Sequence, residues 1–161
     1  MKADIESLRV DVVTFETTRV AALEHRGDPR RLHDSVLEFI AWRKANALPP
    51  RISATFNILY DDPAGVAADD FRMDLCAATM APVAPNDFGV VEKTIDGGRC
   101  AVLRHTGPDD QLEDVIRHLY STWLPSSGEE PRDSPLFLQR VRFFPDVSEQ
   151  EAVTDIFLPL A

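Results

Sequence analysis

Basic residues are scarce in this chain: 17 Lys and Arg stand against 27 Asp and Glu, giving a formal net charge of -10 and a pI near 4.7. A nucleic-acid surface needs clustered cations to displace counterions from phosphates, so direct nucleic-acid binding is not expected. The surplus carboxylates read mostly as solvated surface, and any that line a cleft would attract cationic small molecules. Cysteine is nearly absent. Cys76 and Cys100 have no partner at metal-ligand or redox spacing, and both fall in strand patterns, where a free thiol packs as a small hydrophobe. No apolar run approaches the ~18 residues of a membrane span, and Met1-Lys-Ala-Asp-Ile-Glu-Ser7 has no signal-peptide core. The expectation is a soluble cytoplasmic protein with no membrane partner. Gly-x-Ser-x-Gly, a phosphate-cradling loop, a dinucleotide fingerprint and a metal-binding helix are all missing, so no catalytic residues, no metal site and no cofactor are expected.

What the chain does contain is an internal repeat. Arg19-Val-Ala-Ala-Leu-Glu-His-Arg-Gly27 returns at a fixed offset of 80 as Arg99-Cys-Ala-Val-Leu-Arg-His-Thr-Gly107. Two copies of one supersecondary unit predict a pseudo-twofold domain. A length of 161 residues with 44% hydrophobic and 27% charged composition fits one globular domain, residues 1–161, with repeats at about 8–80 and 89–160.

Alternation predicts strands at Val10 to Phe15 and Arg19 to His25, or one long kinked strand. Asp28 as N-cap and Pro29 at the first helical position start a helix whose Leu32, Val36, Phe39 and Ile40 form one apolar face. Strands follow at Ser53 to Tyr60 and Phe71 to Thr79, separated by an Asp61-Asp62-Pro63 turn. The second half repeats the order. Strands at Gly89 to Ile95 and Arg99 to His105 flank Gly97-Gly98, read as a hairpin turn; a helix from about Pro108 carries Leu112, Val115, Ile116, Leu119 and Trp123; the longest loop, Leu124 to Asp133, precedes strands at Pro135 to Phe143 and Val153 to Leu158. The predicted class is α+β: two strand-helix-strand-strand units making a mainly antiparallel curved sheet, two helices on one face and a central ligand cleft between the repeats.

Five segments in this order resemble the GyrI-like small-molecule-binding domain: Arg-x-Ala-x-Leu-x-His-x-Gly before a helix, Tyr60-Asp-Asp-Pro63, Phe71-Arg-Met-Asp-Leu-Cys76, Trp123-Leu-Pro-Ser-Ser-Gly128 and Thr154-Asp-Ile-Phe-Leu-Pro159. The family includes the gyrase-inhibitory protein and the effector-binding halves of AraC-type and MerR-type multidrug regulators, with SOUL haem-binding proteins as distant relatives. The resemblance implies a cleft for hydrophobic, often cationic ligands, walled by aromatics around a carboxylate, where cation–π attraction adds ~0.5–2 kcal/mol. This chain departs from that pattern. Where many members carry Phe-Glu, the acidic position falls on Leu138, or on Gln139 in the neighbouring register. Without that fixed charge a neutral, polar-aromatic or even anionic ligand is expected, with Arg140 favouring the last.

The ligand-binding candidates are Trp42, Phe56, Asn57, Tyr60, Trp123, Phe137, Leu138, Gln139 and Asp155. The aromatics would form walls and Gln139 would orient the ligand. Asp74 and Asp155, offset by 81, have the look of an acid–base couple, but strand aspartates more often secure neighbouring groups. His25 and His105 read as hydrogen-bonding residues at helix starts. The expected function is a stand-alone protein that captures a hydrophobic or aromatic small molecule, in drug or toxin sensing or sequestration. The alternatives are hydrolysis of electrophilic toxins in the same cleft, and a protein partner, either gyrase or a separate regulator.

Overall fold

The computed structural model describes residues 8–161. The fold is α+β. In chain order its strands are β1 (Val10–Phe15), β2 (Thr18–Arg26), β3 (Thr55–Leu59), β4 (Arg72–Ala78), β5 (Val90–Ile95), β6 (Gly98–Thr106), β7 (Leu136–Arg142) and β8 (Val153–Pro159). The helices are α1 (Leu32–Ala45), α2 (Leu112–His118) and α3 (Leu124–Ser127). The chain divides into two compact units, one comprising Thr17–Asp96 and the other Gly97–Ala161 with the described residues up to Glu16.

In the Thr17–Asp96 unit the strands run β3-β4-β2-β5, each antiparallel to its neighbour. Asp28 starts the helical segment as the sequence predicts: its carboxylate accepts from the Arg30 N–H at 2.9 Å, and Pro29 fills the first position of the short 3-10 turn that leads into α1. Phe39 and Trp42 of α1, stacked at 5.9 Å, pack with Ala21, Leu23, Met73 and Leu75. This core covers one face of the sheet. Ile40, expected on the buried face, is 41% exposed, because that face is taken by Phe39 and the residues one turn away. The helix ends with basic residues, Arg43 and Lys44, in its last turn, where they suit its negative end.

In the other unit the order is β1-β6-β8-β7, again antiparallel. Phe15, Phe137 and Phe157 form an aromatic cluster with centroids 4.8–5.3 Å apart. The helical segment corrects one expectation. Leu124–Ser127 is not loop but α3, joined to α2 through a π turn at Leu119–Trp123, and Gly128 ends it in a left-handed conformation. Pro125 has no N–H for the carbonyl four residues back, and a widened turn just before it absorbs that loss.

Gly97-Gly98 is a second correction. β5 pairs with β2, whereas β6 pairs with β1 and β8, so the glycines carry the chain from one unit into the other and close no hairpin. Gly98 has φ +133°, and a Cβ there would collide with the Arg132 guanidinium, which donates to the Gly97 carbonyl at 3.0 Å. Gly98→Ala is therefore expected to destabilise by about 1–3 kcal/mol. Gly27→Ala serves as the control in the same urea titration: its φ is +116°, but its Cβ would meet nothing within 4 Å, so only the backbone term remains and the loss is smaller.

Candidate functional site

Strand alternation divides the Thr17–Asp96 sheet into two faces. Ala21, Leu23, Met73 and Leu75 point to α1. The opposite face carries Glu24 and Arg26 of β2, Phe56 and Ile58 of β3, Tyr60 just beyond it, Asp74 of β4 and Lys93 of β5; Glu24, Asp74 and Ile58 lie directly across from one another. Asp74 is fully buried at the centre of this polar row.

Three donors converge on that carboxylate. The Tyr60 hydroxyl donates to Oδ2 at 2.6 Å, Lys93 Nζ to Oδ2 at 2.8 Å, and Arg26 Nη1 to Oδ1 at 3.0 Å. Glu24, half exposed at the rim, accepts from Lys93 at 2.7 Å and Arg26 at 2.9 Å. Two carboxylates thus meet two cations, and the cluster is electrically balanced. Beside it Arg72 grips Asp61 through two 3.0 Å bonds, a second balanced pair. Burial and the Asp74 carboxylate hold the Tyr60 phenol above its ordinary pKa, so it remains a donor. For Lys93, burial alone would lower the pKa, but the hydrogen bonds to Asp74 and Glu24 outweigh it and raise the ammonium well above its usual value. The guanidinium carbons of Arg26 and Arg72 and the Lys93 nitrogen lie 5.4–5.6 Å from the centre of the Tyr60 ring, within cation–π range.

Of the candidates read from the sequence in this unit, Phe56 and Tyr60 lie on the face of Asp74. Trp42 is in the α1 core, and Asn57, in register with Leu75, points to the helix side, its amide donating to the Phe56 carbonyl at 3.0 Å. In the other unit Phe137, Gln139 and Asp155 share a face with Phe157, and Gln139 lies directly across from Asp155. Leu138 pairs with Ile156 on the reverse side, where Arg140 reaches Asp109 just ahead of α2 at 2.7 Å. Between Leu138 and Gln139, it is Gln139 that occupies the face opposite α2. Trp123 is half-buried at the end of the π turn. Asp155 is clamped by Arg104 through bonds of 2.8 and 3.0 Å.

Glu24, Arg26 and Lys93 are absent from the sequence-derived candidates, and Asp74 is read there only as a possible couple with Asp155 or a strand aspartate that secures its neighbours. Lone charges on alternating strands look like solvated positions, and only the β2–β5 pairing brings Lys93 to Asp74. The histidines are structural. His25 Nδ1 lies 2.8 Å from the Ser35 hydroxyl and its Nε2 meets the Gly27 and Asp28 carbonyls, while His105 Nε2 meets the Pro108 carbonyl at 3.1 Å. Among the described residues no helix is long and apolar enough to cross a membrane.

A family model described as the GyrI-like small molecule binding domain matches residues 9–161. The chain is 38% identical over 156 residues to the probable transcriptional regulator YgiV of Escherichia coli K12, an alignment covering 96% of this chain and 98% of that protein. Among solved structures, the C-terminal domain of EcmrR matches with a TM-score of 0.78 at 14% identity, over 96% of this chain and 98% of that one. EcmrR in its DNA complex matches with a TM-score of 0.76 at 14% identity, over 95% of this chain but only 57% of that one. The chain therefore spans little more than half of that DNA-bound protein, and at such identity the likeness is one of fold.

Proposed function

Because the chain belongs to the GyrI-like small-molecule-binding domain family, we propose that it captures a neutral hydrophobic or aromatic molecule on the Tyr60–Asp74 face. The balance of that face carries the reading: Asp74 already has three donors and its neighbouring cations are already paired, so neither a cationic nor an anionic ligand finds an unmatched charge. The Tyr60 ring, fixed through its hydroxyl and half-buried, is a rigid aromatic surface with little rotamer entropy left to lose on binding. Phe56 and Ile58 lie on the same face but are buried, so the half-buried Tyr60 ring supplies its accessible aromatic surface. In the other unit the half-buried Gln139 and Asp155 lie across from one another, with the Gln139 amide able to donate and accept, while Phe137 is buried among Phe15 and Phe157 beneath them.

The biological setting that fits is sensing or sequestration of drug-like or toxic compounds in the cytoplasm. Hydrolysis is less well supported, because a general base must be free to take a proton from water. Asp74 is held by Tyr60, Lys93 and Arg26, and Asp155 by Arg104.

The test is a thermal-shift panel of neutral aromatic compounds on the native chain and on Tyr60→Ala. A ligand at 100 times its Kd should stabilise the native chain by about 2.7 kcal/mol. Loss of the ring contact should weaken binding about tenfold or more in Tyr60→Ala. A panel with no stabilising compound, or unchanged binding by the variant, would remove the basis for this assignment.

A further inference from the structure

Lys93 differs from the other cation at Asp74 in what holds it. Arg26 is tied into the scaffold: besides Asp74 and Glu24, its guanidinium donates to the backbone carbonyls of His25 at 3.0 Å and Met73 at 3.4 Å. The Lys93 ammonium takes only side-chain partners, Glu24 at 2.7 Å, Asp74 at 2.8 Å and the Tyr60 oxygen at 3.5 Å. An ammonium has three N–H groups, and here each has one acceptor. It also sits 5.6 Å from the centre of the Tyr60 ring.

A buried carboxylate, a second carboxylate at the rim and an aromatic ring are what a desolvated organic cation requires. The Lys93 side chain retains 25% exposure and Glu24 41%, so the head group lies at the accessible edge of the cluster rather than in its depth. The site is thus a cation cage whose cation is supplied by the chain itself.

We propose that Lys93 is a specificity-determining residue: its tethered ammonium fills the place a cationic ligand would take, and thereby makes this site refuse lipophilic cations. The proposal rests on the assignment of the Tyr60–Asp74 face as the ligand site. The tether gives Lys93 an effective concentration that a free cation at ordinary levels does not match. Removing the ammonium leaves two carboxylates facing one guanidinium, and the balance of the cluster becomes negative.

The experiment compares the native chain, Lys93→Ala, Lys93→Met and Lys93→Arg. Melting is followed in n-propylammonium chloride against sodium chloride at equal ionic strength, and tetraphenylphosphonium binding is measured by equilibrium dialysis. Lys93→Ala should gain melting temperature in propylammonium where the native chain does not, and should bind tetraphenylphosphonium about tenfold tighter or more. Lys93→Arg, which keeps the charge, should follow the native chain. If Lys93→Ala does not fold, Lys93→Met carries the phosphonium comparison with a neutral side chain of similar length. Equal responses of native and charge-free variants to both cations would overturn the proposal. Failure is separable from failure of the functional reading: cation gain without any neutral ligand for the native chain sinks that reading alone, whereas neutral binding without cation gain sinks only the role of Lys93.

Discussion

Asp74→Ala is expected to destabilise the protein by about 3 kcal/mol, the lower end of the range for breaking a buried charge cluster. Asp74 is the fully buried member, and its removal takes one acceptor each from Tyr60, Lys93 and Arg26. The cost stays at the lower end because Lys93 and Arg26 retain 25% and 39% side-chain exposure and the Glu24 carboxylate as a partner. Asp74→Asn keeps an acceptor for the Tyr60 hydroxyl and should lose less. Urea titration reads the effect as a lower midpoint with an unchanged slope, since compactness is not at issue. A midpoint equal to that of the native chain would mean that the cluster contributes nothing net to the fold.

Arg43 predicts a comparable loss for a different reason. The residue is 5% exposed, and its guanidinium donates to the Leu48 carbonyl at 2.8 Å, the Thr55 hydroxyl at 2.8 Å and the Ser53 carbonyl at 2.9 Å, fastening the end of α1 to the approach to β3. All three acceptors are neutral, and burial pushes the pKa of the group down to about 10. Arg43→Met fills much of the volume but takes the donor from three acceptors, the buried Ser53 carbonyl and the half-buried Leu48 carbonyl and Thr55 hydroxyl, for an expected loss of about 3 kcal/mol. Arg43→Lys should recover only a small part, because a single ammonium cannot span positions that a planar fork reaches. Thermal melting of the two variants decides the matter: near-native behaviour of Arg43→Lys would show that charge, not the fork, is what this position requires.

The elements themselves were legible because their signals are local. Asp28-Pro29 marks the start of the first helical segment within a residue or two, and alternation locates the β2 and β6 strands. Pairing was not legible. Gly97-Gly98 has the composition of a hairpin turn, and that reading places Lys93 beside β6. The actual partner of β5 is β2, more than sixty residues earlier, and only that pairing puts Lys93 on the face of Glu24 and Asp74. The aromatics followed the same logic. Tyr60 and Phe56 stand out by type and strand position, but Trp42 looks like a wall residue until α1 is docked, when it becomes core. The choice between Leu138 and Gln139 required the β7–β8 register, which a single-residue slip would invert.

The most direct test of a face whose charges are already matched is a comparison of two probes on the native chain: the neutral dye Nile red, followed by fluorescence, and the cation tetraphenylphosphonium, followed by equilibrium dialysis. The account predicts saturable binding of Nile red, weakened in Tyr60→Ala, and no saturable binding of the phosphonium. Tighter binding of the phosphonium than of the neutral dye would contradict it.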